Sequence, residues 1–212
     1  MIPIQHILLF SLLWAGTEWF CERKQPMEPQ MPASASESKE SKQSKPNTVE
    51  TATFGAGCFW GVEHFFAEVP GVLSTDVGYM GGSTEDPTYP QVCRGTTNHA
   101  EVVHVRYDPG RVSYESLVKL FFKMHDPTTL NRQGPDVGTQ YRSVIFYYTD
   151  QQKDAAQAVI RQLTEKRVFK RPIVTQLVPA GPFWRGEEYH QDYFNKNPGR
   201  SCHVNFSPGM LE

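Results

Sequence analysis

The chain has 212 residues and a mass of 24.1 kDa, and 39% of its residues are hydrophobic. This is enough for one compact core and too little for a large multidomain assembly. Its 21 Lys and Arg residues nearly balance 23 Asp and Glu residues, which leaves a formal charge of -2. The balance argues against a nucleic-acid binder that neutralises phosphates and against a polybasic membrane-surface protein.

Residues 1–20 contain an apolar stretch from Ile7 to Ala15, shorter than the roughly 18 residues expected of a membrane-spanning helix. The stretch is typical of the hydrophobic part of a signal peptide, and the small residues Gly16 and Thr17 follow it. No Lys or Arg precedes it. We therefore expect a protein that is exported, periplasmic or secreted, or tethered to a membrane by this segment; a cytoplasmic location is the alternative.

Residues 21–50 are rich in Ser, Lys, Glu, Pro and Gln, and they include almost no apolar side chains. Such a segment cannot bury enough surface to offset the entropy lost when it becomes ordered. We predict a disordered linker here, followed by a single folded domain over residues 51–212.

From residue 51 onward, the apolar pattern alternates between the two-residue period of strands and the 3.6-residue period of helices. A long Gly- and Pro-rich loop with Gly81, Tyr89 and Cys93 separates the second and third strands, and loops of this length usually have a function. Asp150 is expected to cap one of the helices. The pattern predicts strands at 51–56, 72–79, 101–107, 143–148 and 173–178, and helices at 59–69, 113–125, 150–168 and 187–196.

The element order β-α-β-β-α-β-α-β predicts an α+β fold. We expect a two-layer sandwich in which helices pack on a mixed, mostly antiparallel sheet. Its core would be the ferredoxin-like arrangement β-α-β-β-α-β, with extensions.

Cys58 is the sharpest local feature, within the run Gly55-Ala-Gly-Cys-Phe-Trp-Gly61. It lies between a predicted strand and a predicted helix, where free N–H groups and the helix dipole favour the reactive thiolate. The flanking glycines leave room for a substrate. Cys58 is therefore a candidate nucleophile, and the alternative is a buried cysteine that acts as a small hydrophobic side chain.

The residues of this region bear on three other chemistries. A dinucleotide-binding loop would need a third glycine at position 60, which is Trp60. The seven histidines form no H-x-x-x-H or H-E-x-x-H pair, and the four cysteines, Cys21, Cys58, Cys93 and Cys202, form no C-x-x-C pair, so no metal site is expected. A hydrolase in which a histidine activates Cys58 remains open.

Eight ordered motifs between about residues 53 and 202 resemble the A-type peptide methionine sulfoxide reductases. The resemblance covers nearly the whole predicted domain. The motifs are Gly57-Cys-Phe-Trp-Gly61, Pro87-Thr-Tyr89, Gln91-Val-Cys93, His99-Ala-Glu101-Val, His125-Asp-Pro-Thr128, Gln133-Gly134, Asp136-x-Gly-Thr-Gln-Tyr141-Arg-Ser143 and Glu188-Tyr-His-Gln191.

The resemblance implies that Cys58 attacks the sulfoxide sulfur while Glu101 donates a proton to the departing oxygen. A shielded, apolar environment would keep Glu101 protonated near neutral pH. By the same resemblance, the hydroxyls of Tyr89 and Tyr141 are further donors and Asp136 positions neighbouring groups. The aromatic pair Phe59 and Trp60 would hold the S-methyl group of the substrate, although core packing is the alternative for either ring.

Recycling of the enzyme is also implied by the resemblance. Cys202 corresponds to the family's resolving cysteine and would form a disulfide with Cys58, which thioredoxin or another dithiol would reduce. The chain departs from many relatives because Arg200-Ser201 replaces Gly-Tyr before Cys202 and no further cysteine follows. We expect Cys93 to be structural.

The family implies an oxidoreductase that needs no metal, flavin or nicotinamide. Its expected substrates are proteins with oxidised methionine and free methionine sulfoxide, with preference for the S epimer, and the expected state is a monomer. Two other functional classes remain as alternatives. The Cys-His hydrolase would need no dithiol, and a non-catalytic module would bind oxidised methionine without turnover.

Overall fold

A sheet of six strands organises residues 48–200, which are the residues that this computed structural model describes. The predicted leader, most of the linker, Cys21 and Cys202 lie outside these residues. The strands run in the order β7-β6-β1-β3-β2-β8, and every pair is antiparallel except β6 and β7. They comprise β1 (Glu50–Ala56), β2 (Val72–Met80), β3 (Ala100–Tyr107), β6 (Ser143–Tyr147), β7 (Gln176–Pro179) and β8 (Trp184–Arg185).

The central order β6-β1-β3-β2 is that of two interleaved β-α-β units, so the predicted ferredoxin-like core is confirmed. A separate two-stranded ribbon pairs β4 with β5. The remaining elements are α1 (Phe59–Ala67), α2 (Tyr89–Cys93), α3 (Tyr114–Lys123), β4 (Arg132–Gln133), β5 (Asp136–Val137), a 3₁₀ turn (Thr139–Tyr141), α4 (Asp150–Glu165) and α5 (Tyr193–Lys196). No helix within residues 48–200 is long and apolar enough to span a bilayer.

Alternation along the strands separates two apolar clusters, one on each face of the sheet. Helices α1, α3 and α4 cover the first face, where Phe54, Val103 and Ile145 are buried. The second face carries Met80, Ala100, Val102, Val144 and Phe146, and the segment with Val178, Ala180 and Phe183 packs on it. The predicted two-layer packing is therefore confirmed, and the faces provide two distinct environments.

Three details of the predicted elements are wrong. The long loop contains α2, which starts with a reciprocal cap between Thr88 and Gln91 and is too short for a periodic pattern. The helix predicted at 187–196 is reduced to α5, because Asp192 adopts a left-handed backbone with φ of 54°. Thr149, rather than Asp150, caps α4 and accepts a hydrogen bond from the N–H of Gln152.

Candidate active site

A tight turn after β1 presents Cys58. Gly57 has a φ of +92°, and a Cβ atom there would lie 2.7 Å from the side chain of Gln133, so the turn requires glycine. Cys58 is the N-cap residue of α1 and is partly exposed. The predicted position at a helix N-terminus is confirmed, and the helix dipole there favours the thiolate.

Glu101 reaches the same turn from the neighbouring strand β3. Its side chain is 1% exposed, and Oε2 accepts a hydrogen bond of 3.2 Å from the N–H of Phe59. The other oxygen, Oε1, is buried and has no hydrogen-bond partner among residues 48–200. One carboxyl oxygen is thus fixed beside Cys58, and the other remains available.

Burial raises the pKa of Glu101 to about 8, the Phe59 N–H opposes this shift, and the charge of Asp136 adds to it. Desolvation acts in this direction because it disfavours the charged form of a carboxylic acid. At neutral pH the carboxyl is therefore mostly protonated and can donate a proton from a buried position.

Two tyrosine hydroxyls interact electrostatically with this acid. Burial raises the pKa of Tyr141, and the charges of Glu101, Asp136, Cys93 and Cys58 raise it further. Burial likewise raises the pKa of Tyr89. Its hydrogen bond to Cys93 and the charge of Glu101 raise this pKa further, by smaller amounts. Because both pKa values are raised, both hydroxyls keep their protons at neutral pH, and each can donate a hydrogen bond.

Aromatic rings surround the turn that presents Cys58. Trp60 stacks on Tyr193 with ring centroids 3.7 Å apart and planes within 6°. The Phe59 ring is 2% exposed and packs near Tyr89 and His190, with centroids 6.5 and 5.1 Å away. A partly exposed thiol, a neutral acid, two hydroxyls and an apolar wall suit attack on a small polar sulfur group.

Comparison with known proteins decides the family. The family model described as peptide methionine sulfoxide reductase matches residues 50–212. The peptide methionine sulfoxide reductase MsrA of Methanoculleus marisnigri is 61% identical over 155 residues, which cover 73% of this chain and 94% of that protein. The chain belongs to the peptide methionine sulfoxide reductase family.

Other relatives agree with this assignment. The MsrA of Geobacter sulfurreducens is 57% identical over 155 residues and covers 73% of this chain and 96% of its own. The crystal structure of Mxr1 from Saccharomyces cerevisiae in reduced form is 35% identical, with a TM-score of 0.71, and covers 76% of this chain and 94% of its own. Methionine sulfoxide reductase A of Corynebacterium diphtheriae is 38% identical, with a TM-score of 0.65, and covers 80% of this chain and 85% of its own.

His190 is a residue of this reductase site to which the sequence analysis gave no role. The indole N–H of Trp60 donates to its Nδ1 at 3.0 Å, so the neutral ring carries its proton on Nε2. Nε2 is buried without a hydrogen-bond partner in the described part of the chain. Burial lowers the pKa of His190 although Glu187 opposes the shift. His190 therefore offers a donor rather than the lone pair that a Cys-His hydrolase needs.

Glu187 is a second residue that the sequence analysis missed. Its Oε1 accepts the backbone N–H of Tyr89 at 2.8 Å, and its Oε2 accepts the hydroxyl of Tyr79 at the same distance. Burial alone would raise the pKa of Glu187, but these donors lower it overall. The ionised carboxylate thus anchors the start of α2 and with it Tyr89. The motif Glu188-Tyr-His-Gln191 was a signal for this region, but no spacing rule indicated contact with Tyr89.

The remaining cysteines differ in what the structure describes. Cys93 is exposed at the end of α2 and contacts the Tyr89 hydroxyl. The predicted Cys58–Cys202 disulfide lies outside the described residues because Cys202 does. Within residues 48–200 no group of three or more His, Cys, Asp or Glu side chains is arranged to hold a metal ion.

Proposed function

We propose that this chain reduces methionine sulfoxide in proteins, and as the free amino acid, to methionine, with preference for the S epimer. The observation that carries the proposal is the Oε1 atom of Glu101, which is buried without a partner next to the Cys58 turn. A protonated carboxyl in that position suits a substrate whose oxygen must leave with a proton.

The chemical step follows from these two groups. The Cys58 thiolate attacks the sulfoxide sulfur, and Glu101 transfers its proton to the sulfoxide oxygen. The S–S bond formed by this attack and the S–O bond of the substrate then break, and the oxygen, with its proton, is transferred to the cysteine sulfur, which becomes a sulfenic acid. Methionine leaves with sulfur reduced by two electrons, and the cysteine sulfur is oxidised by two electrons.

The substrate is oriented by the surrounding side chains. We propose that Phe59 and Trp60 contact its S-methyl group and that Tyr89 and Tyr141 hydrogen-bond to its oxygen. Asp136 acts by position, since its charge supports the protonated state of Glu101. Developing negative charge on oxygen would thus meet several donors.

Recycling is proposed to use Cys202. Its thiol condenses with the Cys58 sulfenic acid, which forms a disulfide and releases water. Thioredoxin or a similar dithiol then reduces the disulfide by exchange, and its own two thiols become a disulfide. The electrons balance with thiols alone, so we propose that no resident metal, flavin or nicotinamide takes part.

The decisive assay measures consumption of each resolved epimer of methionine sulfoxide with dithiothreitol as reductant. Wild-type protein should consume the S epimer, and Cys58→Ser should lose at least about 10³-fold in rate because a hydroxyl is a poor nucleophile without an activating base. Cys93→Ser, at the other described cysteine, is the matched control and should keep Cys58 chemistry. Turnover by Cys58→Ser, or ester hydrolysis without dithiol, would reject the proposal.

A second variant tests recycling. Cys202→Ser should release about one methionine per chain and then stall under thioredoxin, with a sulfenic acid on Cys58. The amount of methionine in a single-turnover experiment, and trapping of the sulfenic acid, give the readout. Normal cycling of Cys202→Ser with thioredoxin would show that another thiol resolves the intermediate.

We also propose that the chain acts outside the cytoplasm. The support is the apolar stretch from Ile7 to Ala15 with small residues behind it. The mass of the mature N-terminus would test this, because cleavage near residue 17 is expected for a signal peptide and an intact N-terminus in the cytoplasmic fraction would contradict it.

A further inference from the structure

A cavity of about 340 Å³ opens on the second face of the sheet, away from the helices. Its apolar wall is Phe146 and Val178, which belong to the second-face cluster. Glu101 alternates with residues of this cluster along β3 and lies on the opposite face. The cavity is thus distinct from the reductase site. Its polar lining consists of Asn98, Asn131, Thr139, Arg142 and Gln176.

Arg142 is the charged residue of this lining, and its side chain is only 8% exposed. Nη1 donates to the carbonyl oxygen of Thr139 at 2.8 Å. Among residues 48–200 no Asp or Glu carboxylate lies within ion-pair distance of the guanidinium. An arginine stays charged when buried, so this cation carries its charge without a counter-charge from the described residues.

The neighbours of Arg142 add further donors. Thr139 Oγ1 is buried, and no hydrogen-bond partner for it occurs in the described chain. Asn98, Asn131 and Gln176 also line the cavity. Guanidinium, hydroxyl and amide groups can all donate to oxygen, and no Asp or Glu among the described residues lines the cavity to compete for them.

We propose that this cavity binds a small oxyanion, with Arg142 as its principal ligand and Thr139 as a second donor. The class includes carboxylates and tetrahedral oxyanions, since the flat fork of a guanidinium pairs with both through two parallel hydrogen bonds. The apolar wall of Phe146 and Val178 would accommodate a short aliphatic group attached to a carboxylate. None of the residues proposed for sulfoxide reduction lines this cavity, and the proposed reaction does not use it.

The test uses the full chain in a chloride buffer of constant ionic strength, to which acetate, phosphate or sulfate is added. We expect a saturable rise in melting temperature and a saturable shift of the Arg142 Nε–H resonance in ¹⁵N spectra. Arg142→Gln should abolish the rise. Arg161→Gln, which removes the same charge from an exposed position on α4, should keep it. A stronger response to acetate than to phosphate would indicate carboxylate-bearing ligands, and the reverse would indicate inorganic oxyanions.

Thr139→Val keeps the proposal testable if Arg142→Gln does not fold. The variant retains the guanidinium and removes one donor, so the apparent dissociation constant should rise several-fold while the circular dichroism spectrum is unchanged. The proposal is overturned if the wild type shows no saturable response, or if Arg142→Gln or Thr139→Val responds as the wild type does. These readouts do not require activity, so the proposed reductase function stands or fails separately.

Discussion

Two buried ionisable side chains, Glu101 and Arg142, lie on opposite faces of the same sheet, and neither has an oppositely charged partner among the described residues. The carboxyl of Glu101 can become neutral by taking up a proton, and burial raises its pKa to about 8 accordingly. Burial lowers the pKa of Arg142 as well, but a guanidinium remains charged at every pH at which proteins fold.

The comparison shows that one physical cause, desolvation, has two chemical outcomes. On the helix-covered face it produces a neutral acid that can give up a proton during a reaction. On the second face it leaves a permanent cation that is stabilised by binding an anion. Substitutions at Glu101 and Arg142 should therefore have different effects.

The largest effect is expected for Glu101→Gln. The variant keeps the shape of the side chain but cannot supply a proton, so the rate of the chemical step should fall on the order of 10²-fold or more. Single-turnover kinetics with the S epimer would measure this step without recycling. Glu165→Gln, at an exposed position at the end of α4, is the matched control. A loss below about threefold in Glu101→Gln would reduce Glu101 to a structural role.

The pH dependence of the free energy of unfolding should report the ionisation of the Glu101 carboxyl. Because its pKa in the folded state lies above the ordinary value of 4.5, the stabilising effect of the neutral form is complete below pH 4.5 and is lost as the pH rises to about 8. Within that window the folded chain holds one more proton than the unfolded chain. The free energy of unfolding should therefore fall by about 1.4 kcal/mol per pH unit from this group.

Denaturant unfolding of wild type and Glu101→Gln between pH 4.5 and 9 would measure this difference. The part of the slope that comes from Glu101 should be absent in Glu101→Gln, whereas Glu165→Gln should keep the wild-type slope. The single-turnover rate of the wild type should also decline above about pH 8, as the acid ionises. Parallel stability profiles for wild type and Glu101→Gln would contradict a raised pKa.

The smallest effect is expected for Arg142→Met in a buffer without oxyanions. Removal of a buried charge that lacks a counter-charge should leave the free energy of unfolding within about 1 kcal/mol of the wild type, or raise it, although one hydrogen bond to Thr139 is lost. Urea denaturation gives the value. A fall of several kcal/mol in the free energy of unfolding would show that Arg142 stabilises the fold directly. It would contradict the view that Arg142 is a buried charge that awaits an anion.

Much of the fold was predictable because its elements are long and amphipathic. Leu117 and Phe121 in α3, and Val159 and Leu163 in α4, follow the 3.6-residue period that marks a buried helix face. The short elements were not predictable in this way. Helix α2 depends on a local cap at Thr88, and α5 depends on the backbone conformation of Asp192, and neither leaves a periodic signal.

The candidate site shows the same limit. The Gly-rich run around Cys58 indicates a thiol at a helix N-terminus from local sequence alone. Burial of Glu101 is set by α1, which covers that face of β3, and a strand pattern cannot tell which side is covered. The contact of Trp60 with His190 joins residues 130 positions apart in the sequence. Such contacts follow from topology, so only the family resemblance could indicate them.

The hydrogen bond from the Phe59 N–H to Glu101 has a consequence for the order of events. That N–H belongs to the peptide bond between Cys58 and Phe59, so a backbone movement that carried the Cys58 thiol toward a second thiol would also lengthen the hydrogen bond that holds Glu101. Glu101 would then be held less firmly while the sulfur reacts with the second thiol. When the backbone returned to its original conformation, the Cys58 thiol and the Glu101 carboxyl would regain their reactive positions together.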